Sequence, residues 1–190
     1  MTGIVNSTGS RSGVIGTTVG TAGEGIIGQI VQTVENGPWV GAANTNEQLV
    51  HDGDYSCCIT PAKAGSKILI NYTFDVSSSG SVTARSYMER VIGSGSHANL
   101  TGIQGTDPGG SYGDSSLSSV GVEEYTFYCN RIAGTYLDSP SYTLGEQMCY
   151  RIGVQSETAS HVIHVGRTNR DNSQYHPRTA SILILMEVYQ

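Results

Sequence analysis

From Ile26 onward, apolar and polar residues alternate with a period of two, in short runs separated by turn-forming residues. The clearest run is "KILINYTFDV", which sets Ile68, Ile70, Tyr72, Phe74 and Val76 on one side and Leu69, Asn71, Thr73 and Asp75 on the other. "QIVQTVE" opposes Ile30, Gln32 and Val34 to Val31, Thr33 and Glu35, and "DYSCCIT" places Tyr55, Cys57 and Ile59 on one face. "SVTARSYMERVI", "VEEYTFYC", "QMCYRIGVQ", "HVIHV" and "ASILILMEVY" continue the pattern. Breakers fall between the runs at 36–38, 60–66, 77–81, 106–116 and 138–140. No segment keeps the 3.6-residue period of a helix over a useful length. About eight short strands at this spacing predict an all-β, antiparallel sandwich or barrel.

Two stretches depart from simple alternation. In "ILILM", Ile182 to Met186, both faces are apolar, as in a strand covered on both sides. A two-layer sandwich covers only one of them, and a symmetric oligomer interface would cover the other. Ile182, Ile184, Met186 and Val188 are the candidate interface residues. The second stretch is "MTGIVNSTGSRSGVIGTTVGTAGEG", residues 1–25, rich in Gly, Ser and Thr but punctuated by Ile4, Val5, Val14, Ile15 and Val19. A purely flexible linker would lack those apolar residues. Together with Arg11 they predict an arm that docks on another surface, followed by one domain over 26–190.

Composition narrows the partners. The chain has 190 residues, 37% hydrophobic and 14% charged, with a net charge of −6 and a pI near 5.2, too little charge for a solvated disordered chain. The negative balance gives no general attraction to polyanions, so neither nucleic acid nor an anionic membrane surface is an expected partner. The opening residues lack the basic start and apolar core of a signal peptide, and "ILILM" is too short to span a bilayer. The expectation is a soluble protein made in a cytoplasm. Of four cysteines, the adjacent Cys57 and Cys58 do not readily bond each other. A Cys129–Cys149 bridge is open, and buried free thiols are the favoured reading.

The motifs that could carry chemistry lack the setting it needs. Gly23 to Gly28 matches G-x-G-x-x-G, but a strand-like run follows it where a phosphate-binding helix would have to start. Gly109 to Gly113 matches G-x-S-x-G between two loop-like flanks rather than at a strand–turn–helix elbow. His161 and His164 are three apart, and on a strand they point to opposite faces, so they are not a metal pair. His51, Asp52 and Asp54 in "HDGD" read as a solvated turn before a weak cation site. No paired carboxylates can be argued close. The reading is a protein without catalytic activity, metal or cofactor.

Three stretches together carry a family resemblance: "CITPAKAGSKILINYTFDV", "TYLDSPSYTLGEQMCYRIGVQ" and "GRTNRDNSQYHPRTASILILMEV". With the opening "NSTGSRSGVIGTT", they resemble the small jelly-roll domain of bacteriophage virion proteins, of the tail-fibre and related type common in cyanophages and other aquatic phages. The resemblance spans about residues 1–20 and 50–190. It implies a jelly roll similar to the tumour necrosis factor fold, usually a homotrimer, with the terminal strands near the threefold axis. In "LDSP" it reads as a turn, with Asp138 capping the bend and Pro140 fixing the backbone that leaves it. The glycine-rich stretch 93–113 marks loops where specificity would vary.

Two roles follow. The first is a capsid decoration, or cement, protein: a trimer held on a phage capsid by its arm and located in the virion after assembly in the host cytoplasm. The alternative is a tail-fibre or receptor-binding knob, attached to a tail adaptor protein and recognising a host surface receptor through His97, Tyr112 and Asp114. The arm favours the first, because about 25 residues reach at most about 85 Å and hold no heptads that would build a shaft.

Overall fold

The computed structural model describes residues 27–44, 46–100, 118–122, 128–170 and 178–189. The predicted docking residues Ile4, Val5, Arg11, Val14, Ile15 and Val19, the loop residues Tyr112 and Asp114, and the G-x-S-x-G stretch lie outside them. Among the described residues the chain is built of β-strands with one short 3-10 turn, Val50–Gly53. In order the strands are β1 (Ile27–Glu35), β2 (Trp39–Val40), β3 (Gln48–Leu49), β4 (Ser56–Ile59), β5 (Lys67–Ser78), β6 (Val82–Ile92), β7 (Ala98–Asn99), β8 (Ser118–Val122), β9 (Asn130–Asp138), β10 (Met148–Ser156), β11 (Ile163–Val165) and β12 (Ser181–Val188).

They form two antiparallel sheets. Sheet A runs β1–β12–β5–β9, with β11 and β2 continuing it past the end of β12. Sheet B runs β4–β10–β6–β8, with β3 beside β10 and β7 beside β6. Chain order β1, β4, β5, β6, β8, β9, β10, β12 thus crosses between the sheets at every step except β6 to β8, in the jelly-roll manner. This is the all-β sandwich expected from the alternation.

The core lies between the sheets, and the predicted inward faces fill it. Ile68, Ile70, Tyr72, Phe74 and Val76 are all buried, as are Tyr55, Cys57 and Ile59 from β4 and its approach. From the last strand come Leu183 and Leu185, and from β10 Met148, Tyr150, Ile152 and Val154. The Tyr55 hydroxyl crosses the sandwich and donates to the Ile182 carbonyl at 2.5 Å. Burial pushes that phenol well above the ordinary tyrosine value.

Two glycines are shaped by tyrosines. A side chain at Gly153 would overlap the ring of Tyr87 on the outer face of sheet B, and one at Gly134 would overlap Tyr72 inside the core. In each strand the missing side chain leaves the notch that the neighbouring ring occupies.

Two sequence expectations are corrected here. Asp138 ends β9 pointing inward, and it does not cap the bend that follows. Its Oδ2 accepts from Arg90 Nη1 at 2.5 Å and from the Tyr150 hydroxyl at 2.7 Å, so it ties sheet A to sheet B. The cysteines also differ: Cys58 and Cys149 are disulfide-bonded, while Cys57 and Cys129 are free. The pair became visible only through the ladder, where Cys58 on β4 stands directly opposite Cys149 on β10.

Candidate functional site: the outer face of sheet A

Alternation fixes what sheet A shows on its far side. On β12, Leu183 and Leu185 are in the core while Ile182, Ile184, Met186 and Val188 share the opposite face, each half-buried. The four predicted interface residues therefore stand on one face, outside the core. The ladders extend that face sideways. One row reads Ile30, Met186, Leu69, Leu137 across β1, β12, β5 and β9. The next two rows read Gln32, Ile184, Asn71, Thr135 and Val34, Ile182, Thr73, Ala133.

This is an apolar band with a few neutral polar groups, among them Thr135 donating to Asn71 Oδ1 at 2.6 Å. Leu137 at its edge is 42% exposed. Four strands about 4.8 Å apart and the roughly five residues per strand that the rows span, at about 3.4 Å each, make a face of about 300 Å². That is the size of the largest apolar patch on an ordinary monomer, which is often functional. None of the three rows holds a carboxylate. The first acid on this face is Asp75, which Arg131 engages through Nε and Nη2 at 2.9 and 3.2 Å, closing one end of the band.

Sequence reasoning found the β12 stripe because both of its faces are apolar. It did not assemble Ile30, Val34, Leu69 and Leu137 with it, since those neighbours come from strands far apart in the chain. The signal was present in "KILINYTFDV", where Leu69 stands on the side of Asn71, Thr73 and Asp75, and in "QIVQTVE", where Ile30 and Val34 share a side with Gln32.

The other candidate residues lie elsewhere. His97, just before β7, belongs to the outer face of sheet B. Burial and the Arg151 charge hold its imidazole below the usual histidine value, partly offset by Glu89. Arg151 Nε bonds Glu89 Oε2 at 2.5 Å, and Glu47 accepts from Asn99 Nδ2 through both oxygens, at 3.1 and 2.9 Å. Arg151 with Glu89, and Glu47 with Asn99 Nδ2, satisfy one another, while His97 Nδ1 and Asn99 Oδ1 are buried without a hydrogen-bond partner.

The remaining motifs also find structural places. Gly28, the last glycine of the G-x-G-x-x-G match, sits in β1 under the ring of Tyr189. His161 packs over Gly80 ahead of β11, whereas His164 is buried within β11. In the "HDGD" turn, Asp52 accepts from Trp39 Nε1 at 3.2 Å. Among the described residues no group of three or more His, Cys, Asp or Glu could hold a metal ion. None of their helices is long and apolar enough to cross a membrane. Comparison with protein-family models and with curated proteins gave no match.

Proposed function

We propose that this protein is a structural component of a bacteriophage virion, a homotrimeric capsid decoration protein that associates through the outer face of sheet A and docks by residues 1–25. The observation that carries the reading is the apolar, carboxylate-free band across β1, β12, β5 and β9. Three copies of a chain with net charge −6 can meet there without bringing like charges together. A closed threefold arrangement covers the second face of β12 in every copy, which an isolated sandwich leaves to water. The resemblance to phage jelly-roll virion proteins supplies the particle, and the spaced apolar residues of the arm supply its attachment.

The test has two arms. Sedimentation of the full chain should give a trimer, and Ile184→Glu, which alters the outer face and leaves the core intact, should give a folded monomer. A monomeric parent chain would overturn the interface. In particles, hundreds of copies support decoration, whereas a dozen to a few dozen would move the protein to the tail as a receptor-binding knob. Removal of residues 1–20 should leave the trimer soluble and absent from the particle.

A further inference from the structure

The Cys58–Cys149 disulfide lies at the seam where one edge of sheet B meets one edge of sheet A. Both residues are half-buried on the outer face of sheet B, with Cα atoms 4.0 Å apart. β4 is four residues long and makes its backbone ladder with β10. Toward sheet A it meets β1 through side-chain bonds: Thr33 Oγ1 donates to the Ser56 carbonyl at 2.7 Å, and Gln29 Nε2 to the Thr60 carbonyl at 2.5 Å. So β1 leans on β4, and β4 is held by a short ladder, its inward side chains and the bridge.

We propose that Cys58 and Cys149 form a reversible redox latch on this seam, whose opening loosens β1 and β4 while the rest of the sandwich keeps its fold. The inward anchors Tyr55, Cys57 and Ile59 are buried on the face of β4 opposite the bridge, so they keep β4 on β10 less firmly when the bridge opens. Opening begins when the thiolate of a small thiol attacks one bridge sulfur and the other cysteine leaves as a thiolate that takes up a proton. A second small thiolate then resolves the mixed disulfide, and a small-molecule disulfide carries away the two electrons' worth of oxidation. Closing is the reverse, with a small-molecule disulfide as oxidant. The two free thiols compete poorly. Cys57 faces the core, and burial raises its thiol above the usual value. Cys129 is pushed up to about 11 by burial and by Asp75, which leaves little thiolate at neutral pH. A reducing cytoplasm would hold the latch open and an oxidising exterior would close it. Because β1 continues directly from residues 1–26, the latch sets how firmly that edge is held.

The experiment uses the full chain, oxidised and after native reduction with a dithiol and alkylation. Mass spectrometry should place alkyl groups on Cys58 and Cys149. Hydrogen exchange should quicken by about tenfold or more over 27–35 and 56–59, with 67–78 and 130–138 unchanged. The Cys58→Ser, Cys149→Ser double variant should match the reduced protein without any reductant. Unchanged exchange in β1 and β4, loss of protection across the whole sandwich, or a bridge that resists the dithiol until the chain unfolds would each overturn the latch. The alkylation pattern and the exchange over 56–59 are read on sheet B, away from the proposed trimer face, so failure of the proposed function would be seen separately.

Discussion

Glu187 is the one charged residue of β12, and it is wholly buried. Its carboxylate accepts from the backbone N–H groups of Ala62 and Lys63 at 2.9 and 3.1 Å and from Gln29 Nε2 at 3.0 Å. It thereby pins the β4–β5 turn and the start of β1 to the last strand. Glu187→Ala would strand three donors and should lower unfolding free energy by about 3 kcal/mol in urea titration, and Glu187→Gln by clearly less. His51 offers a pH test. Burial holds its imidazole below the ordinary value of 6.5, outweighing the upward pull of Glu35, Asp54 and Asp52. The fold therefore favours the neutral form. That contribution is complete above 6.5 and is lost as pH falls through the lower folded value. Thermal midpoints of the parent should fall more between pH 7 and pH 5 than those of His51→Asn, which suits the positive φ of 53° at this position.

At the scale of elements, period-two alternation located β1, β4, β5, β6, β10, β11 and β12, but β9 escaped it. Its inward positions are Ile132, Gly134, Tyr136 and Asp138, so one is empty and one is charged. Both exceptions have partners on other strands: the Tyr72 ring fills the notch at Gly134, and Arg90 with Tyr150 meets Asp138. No local reading of "NRIAGTYLD" contains those partners, which is why "LDSP" looked like a capped turn and nothing more. A double-mutant cycle between Asp138→Ala and Tyr150→Phe should give a coupling of about 1 kcal/mol or more by chemical denaturation. Additive effects would mean that Arg90 alone satisfies the carboxylate. The disulfide was hidden for a related reason, because the register of β4 on β10 decides it and sequence spacing does not.

For the whole molecule, the alternation made the sandwich legible and β12 announced a second apolar face, yet the breadth of that face depended on strand order. Ile30 and Leu137 share a row only because β1, β12, β5 and β9 are neighbours in that sequence of ladders. The same pairing of β1 with β12 joins the first and last described strands, Ile27 opposite Val188. A ribosome must therefore deliver everything from β1 through β12 before β1 has its partner, and until then Ile30 and Val34 stand beside an empty position. Closure of this sandwich waits for β12, and its pace is set by long-range pairing, in the millisecond-to-second regime of such topologies. The interval before β12 arrives is when the chain is most exposed to mispairing with its own copies, which makes the last eight-residue strand the guard of the first.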